Sequence, residues 1–153
     1  MKLPNCNTLA RRAARGFTLI ELMIVISVVA ILTTIAVTSY RAYVLRATRT
    51  EARMALLSIQ VAQEKFFLQN NQYAQNLATA LAAPPAGLGV ALAAGGVTNG
   101  GHYTISFTAA TANTYTVQAV ATGTQTSDKA ACLTYTINDQ GVRTPADSSG
   151  CWR

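Results

Sequence analysis

Residues Phe17 to Val37 read FTLIELMIVISVVAILTTIAV, an apolar run interrupted by a single charge, Glu21. As a helix rising about 1.5 Å per residue this run measures roughly 31 Å, the hydrocarbon thickness of a bilayer. A secretory signal peptide has a shorter apolar region of about 7 to 15 residues followed by a small-residue cleavage site. Beyond Val37 the chain continues TSYRAYVLRATRTEAR, which offers no such site. A membrane-spanning helix near the N-terminus is therefore the first constraint on the fold.

That helix explains an otherwise odd composition. Of the 153 residues, 50% are hydrophobic and 12% charged, about half the charge of an ordinary soluble domain. The net charge of +6 is also uneven, since Lys2, Arg11, Arg12 and Arg15 stand in the first 16 residues with no acid among them. The remainder carries 8 basic and 6 acidic groups. A basic nucleic-acid-binding domain is thus not the reading for the body of the protein, and nucleic acid stands outside its expected partners. Arg41, Arg46, Arg49 and Arg53 follow the apolar run, offset only by Glu51, so a count of flanking positive charges nearly ties. A cytoplasmic leader is favoured because it places Cys132 and Cys151 in an oxidising compartment, where they could pair, and leaves Cys6 reduced. No CxxC or histidine cluster points to zinc, whereas a disulfide closing a loop of about 20 residues would stabilise by roughly 3 kcal/mol.

From Thr38 to Asn70 the chain has no glycine or proline. Met54, Leu57, Val61 and Leu68 recur at helical spacing and predict a buried face, widened by Ile59, Ala62 and Phe66. One continuous helix from Phe17 to Asn70 follows. Residues 74 to 101, rich in Gly and Pro, read as a connection with a short helix at Leu77 to Ala83. Alternation at His102 to Ala109, Thr114 to Thr122 and Cys132 to Asn138, with a short Val142 to Thr144 segment after an Asn138 to Gly141 turn, predicts three or four antiparallel strands. The fold class is α+β, a long helix packed on an antiparallel sheet. Arg46, Arg49 and Arg53 share one helical face and read as a solvated face or as contacts with lipid head groups, with contact to neighbouring subunits as the alternative. His102 begins a strand after Gly100-Gly101 and reads as structural; Asp128, Asp139 and Asp147 lack calcium-loop spacing; Trp152 packs on the disulfide or sheet. No catalytic constellation, metal site or cofactor is expected.

The run Arg15-Gly16-Phe17-Thr18-Leu19-Ile20-Glu21-Leu22-Met23 resembles the N-terminal signature of the type IV pilin family. The likeness continues through Gln63-Glu64-Lys65-Phe66-Phe67-Leu68-Gln69-Asn70-Asn71 and Cys151-Trp152, most like the minor pilins of Gram-negative bacteria. It implies that a prepilin peptidase cuts between Gly16 and Phe17, that the new Phe17 amine is methylated, and that Glu21 meets the N-terminal amine of a neighbouring subunit. A carboxylate in an apolar core is costly unless paired, so this role has a physical basis. The implied organisation is a leader at 1–16, a transmembrane and assembly helix at 17–37, an amphipathic half at 38–73, a connection at 74–101, and a sheet with a C-terminal disulfide loop (Cys132, Cys151) at 102–153. The implied partners are other pilin subunits, the peptidase, the inner-membrane assembly platform and the membrane. The chain would reside in the inner membrane with its N-terminus cytoplasmic, then in an extracellular pilus. The implied function is that of a minor structural subunit serving pilus biogenesis, adhesion or twitching motility. A type II secretion pseudopilin, a DNA-uptake pilin and a plain single-span anchor are the alternatives. Many pilins have glycine where Ala30 stands and proline where Thr38 stands; with both backbone donors kept, an unbroken helix is expected here.

Overall fold

The computed structural model describes residues 16–82 and 87–152; most of the expected leader, Cys6, Pro84, Pro85 and Arg153 lie outside the described residues. The chain forms two compact units, Met1–Ser39 and Tyr40–Arg153. Helix α1, Leu19–Asn70, supplies both and passes through Ala30 and Thr38 without a break.

In the first unit, α1 is the helix long and apolar enough to cross a membrane, and none of its most apolar stretch is buried by the chain. Most of its hydroxyls are satisfied within the helix. The hydroxyls of Ser27, Thr33 and Thr38 donate to the carbonyls of Met23, Val29 and Thr34 at 2.7, 2.7 and 3.0 Å, so none needs a partner in hydrocarbon.

In the second unit, a four-stranded antiparallel sheet has the order β1 (Tyr103–Ala110), β2 (Tyr115–Ala121), β3 (Thr134–Asn138) and β4 (Arg143–Thr144). Every strand pairs with its sequence neighbour, which makes a simple meander. Strand alternation puts Tyr103, Ile105, Tyr115, Val117, Ala119, Tyr135 and Ile137 into one core. A bulge between Phe107 and Ala109 breaks the β1 alternation and leaves Phe107 only partly buried. The third strand begins at Thr134, later than its apolar pattern predicts, because Ala130–Cys132 winds into a 3₁₀ turn. The hairpin between β3 and β4 is built by Asn138, whose side-chain oxygen accepts the amides of Gln140 and Val142 at 3.1 and 2.8 Å. Between helix and sheet, α2 spans Leu77–Leu81 and is capped by the Asn76 side chain on the Thr79 amide.

The helix face toward this core agrees in part with its apolar spacing: Ile59 and Phe66 are buried and Leu57 and Ala62 pack against the core. Arg49, Ala52, Leu56, Ile59, Gln63 and Phe66 are buried, whereas Met54, Val61 and Leu68 are 64, 56 and 86% exposed. Counting apolar residues placed the stripe too far to one side, because two of the buried positions, Arg49 and Gln63, are polar. Gln63 explains its own burial: it donates to the Ala74 carbonyl at 2.9 Å and accepts the Ala74 amide at 2.8 Å, which clamps the chain after the helix back onto it.

Candidate functional site

At the helix N-terminus, the Thr18 hydroxyl accepts the Glu21 amide at 3.2 Å and the Glu21 carboxylate accepts the Thr18 amide at 3.4 Å. This reciprocal arrangement is a capping box, which satisfies two amide donors that the first turn leaves free. The Thr-x-x-Glu spacing encodes it in the sequence, so Glu21 has a local role that sequence reasoning missed. Among the described residues, one carboxylate oxygen is engaged, and the other is open to a second donor. Gly16 and Phe17 precede the helix in exposed, non-helical backbone. Among the described residues, a side chain at Gly16 would meet nothing within 4 Å.

The three arginines expected on one solvated face diverge. Arg46 is exposed, but Arg49 is buried and forms a two-pronged pair with Asp128, Nε to Oδ2 at 2.7 Å and Nη2 to Oδ1 at 2.6 Å. Their side chains are 6 and 4% exposed. Arg53 is half-buried and donates to the Thr50 hydroxyl at 2.7 Å. The solvated-row reading is therefore corrected at Arg49: its charge is consumed by an acid 79 residues away, a pairing that helical spacing cannot reveal. Gln125 completes the joint, donating to the Leu45 carbonyl and to Asp128 Oδ2, both at 3.0 Å, while its oxygen meets the Thr48 hydroxyl. Burial raises the Asp128 carboxyl's proton affinity, but hydrogen bonds from Arg49, the Lys129 amide and Gln125 outweigh it and hold the group below the usual carboxylate range. The bond to Asp128 likewise holds the Arg49 guanidinium above its ordinary value.

A second joint lies further along α1. Glu51 accepts the Gly100 amide at 2.7 Å and faces His102 Nδ1 at 2.8 Å, which gives the sole histidine a structural partner. Burial pushes the Glu51 carboxyl up, yet the donors of Thr98, His102 and Gly100 pull it below its ordinary value. A Cβ on Gly100 would fall 2.6 Å from the Glu51 carboxylate, so the loop approaches closely only because glycine stands there.

At the C-terminal end, Cys132 and Cys151 form a disulfide with Cα atoms 5.4 Å apart. Trp152 packs edge-on to Tyr135 with ring centroids 5.4 Å apart, and the Arg143 guanidinium lies 5.3 Å from its ring centroid. Among the described residues, no group of three or more His, Cys, Asp and Glu side chains is placed to hold a metal ion.

Comparison with known proteins sets these features in context. Residues 38–136 match the family model described as "Type IV minor pilin ComP, DNA uptake sequence receptor", and residues 11–37 match the prokaryotic N-terminal methylation motif. The major pilin PilA of Myxococcus xanthus is 41% identical over 59 residues, 39% of this chain and 27% of that protein. The major pilin PilE1 of Neisseria gonorrhoeae is 39% identical over 72 residues, 46% of this chain and 44% of that protein. The aligned part therefore spans less than half the length of either relative. A solved type IV pilin from Shewanella oneidensis has 24% identity and a TM-score of 0.49, covering 71% of this chain and 98% of its own. The family model covers well over half of this sequence, including the lower helix, the connection and three strands: the chain is a member of the type IV pilin family that this model describes.

Proposed function

We propose that this chain is a minor subunit of a type IV pilus, cut after Gly16, methylated on Phe17, held in the inner membrane by residues 17–37 and then transferred into a filament. The observation that carries the reading is an apolar helix with no partner of its own, headed by a methylation motif. Such a helix can exchange lipid for neighbouring helices at little cost, because both surroundings are apolar. Glu21 adds direction: its unoccupied oxygen accepts the Phe17 amine of an adjacent subunit, so a buried carboxylate is matched by a buried cation. The exposed stripe of Met54, Val61 and Leu68 supplies a second surface for neighbouring subunits.

The test is expression of full-length wild type and Glu21→Val, with mass spectrometry of the mature N-terminus and quantification of the chain in sheared filaments. Both proteins are expected to begin with methylated Phe17, but the variant is expected to be depleted from filaments about ten-fold or more, as befits loss of a paired buried charge. Equal incorporation overturns the role of Glu21, and an intact leader overturns the processing step.

A second reading, reception of DNA during uptake, is favoured by the description of the matching family model. Asp128 and Glu51 face donors within the head, whereas the side chains of Lys65, Lys129 and Arg143 are on exposed residues. Mobility-shift assays on the full chain in detergent, with salt titration, test it. Binding that weakens steeply with salt supports reception of DNA; no shift at low salt overturns it.

A further inference from the structure

The exposed basic groups nearest the apolar run share one surface of the second unit. Arg46 and Lys129 border a groove of about 310 Å³ whose wall is the Arg49–Asp128 pair. Arg41 lines the adjoining depression with Tyr40 and Thr124. Asp128 is the acid at this surface, and its carboxylate is already bound by Arg49. Among the described residues, Arg41, Arg46 and Lys129 form no ion pair. Three cations thus face one region without an available counter-charge.

Their position relative to the sequence of the span limits what that counter-charge is. Arg41 and Arg46 follow Val37 by four and nine residues, about 6 and 14 Å at helical rise. The Arg46 side chain turns back toward the helix N-terminus, with Nε donating to the Ala42 carbonyl at 3.1 Å. That returns its charge by about one turn toward the apolar run. Tyr40 and Tyr43, 68 and 65% exposed, occupy the interval in which amphipathic aromatic rings settle at head-group level.

We propose that this surface, Arg41, Arg46 and Lys129 with Tyr40, binds the phosphates of anionic phospholipids in the leaflet from which the helix emerges, and so holds the head against the membrane before assembly. The inference rests on the membrane-anchored state proposed above. Lipid phosphate is favoured over a nucleic-acid backbone because the cations are interleaved with interfacial tyrosines and begin within four residues of the apolar run. Leaving the membrane then requires the head to exchange these phosphates for another environment.

The experiment uses the full chain in lipid nanodiscs containing equal amounts of phosphatidylglycerol and phosphatidylcholine, one of them photoactivatable in each of two preparations. Crosslinks to residues 40–49 and 129 are counted by mass spectrometry. The expected result is several-fold more labelling by phosphatidylglycerol, with each of Arg41→Gln, Arg46→Gln and Lys129→Gln reducing that preference by up to about five-fold. The triple Gln variant is expected to lose the preference, and Arg46→Lys is expected to keep it. Equal labelling by the two lipids, or an unchanged preference in the triple variant, overturns the inference. DNA binding that depends on these three residues, without lipid preference, overturns it in favour of a nucleic-acid surface. Hydrogen-exchange protection of residues 17–37 in the same discs reports insertion separately, and its absence overturns the anchored state together with this inference.

Discussion

From Gly16 to Ser39 every residue is exposed, whereas from Tyr40 onward the strand alternation and one face of α1 close around a shared core. The first stretch satisfies most of its hydroxyls within its own helix and leaves its apolar surface to whatever surrounds it. The second buries its apolar surface and uses polar side chains to join distant parts of the chain. The contrast separates assembly from stability: changes in the span are expected to alter where the protein resides, and changes in the head are expected to alter whether it stays folded.

The largest test of that separation is Asp128→Asn. It leaves the Arg49 guanidinium buried without its counter-charge and is expected to cost about 3 to 5 kcal/mol, read from chemical denaturation of the head. A loss below about 1 kcal/mol would make the joint no stronger than an exposed pair. Next comes reduction of the disulfide, or Cys132→Ser with Cys151→Ser. A crosslink between residues 19 apart stabilises by about 3 kcal/mol in the chain-entropy model, and an unchanged denaturation midpoint under reductant would contradict this. Gln63→Met, which removes both bonds to Ala74 at similar side-chain length, is expected to cost about 2 kcal/mol.

Acidification sharpens the comparison from another side. Asp128 and Glu51 titrate below their ordinary values in the folded head. Their contribution to stability is therefore fully present above the unfolded carboxylate range, about pH 4 to 4.5, and is lost as pH falls through the lower folded values. Denaturation midpoints measured from pH 7 to 3 should hold until about pH 5 and then drop, with a shallower drop in Asp128→Asn. The smallest stability effect belongs to Met54→Lys and Val61→Lys on the exposed stripe, expected within about 0.5 kcal/mol. Their effect should appear instead as reduced incorporation into filaments. A large loss of stability would return that stripe to the core.

The fold class was legible because its signals are local. The apolar run, the unbroken helix and the alternation at Tyr103, Ile105, Tyr115, Val117, Tyr135 and Ile137 each arise within a few residues. The buried face of α1 was legible only in part, since it is also defined by what Arg49 and Gln63 find elsewhere, at Asp128 and Ala74. Apolar counting treats a polar residue as solvent-facing, and here it found Ile59 and Phe66 but added Met54, Val61 and Leu68, which are exposed. At Glu21, the family signature directed attention to an external partner and away from Thr18, three positions upstream, although the capping-box spacing was present in the sequence. His102 stands just before β1, and its partner Glu51 lies 51 residues away, with no local signature.

The polar joints along α1 also set the head's resistance to shear. Apolar contacts alone would let a helix slip along a sheet by a turn and find similar surroundings. Arg49 with Asp128 and Glu51 with the Gly100 amide engage at different heights and are directional, so a slip breaks both together. Tension on the helix is shared among these fasteners. The fastener at Asp128 stands four residues before a disulfide, so load entering at Arg49 reaches covalently crosslinked chain within one short segment.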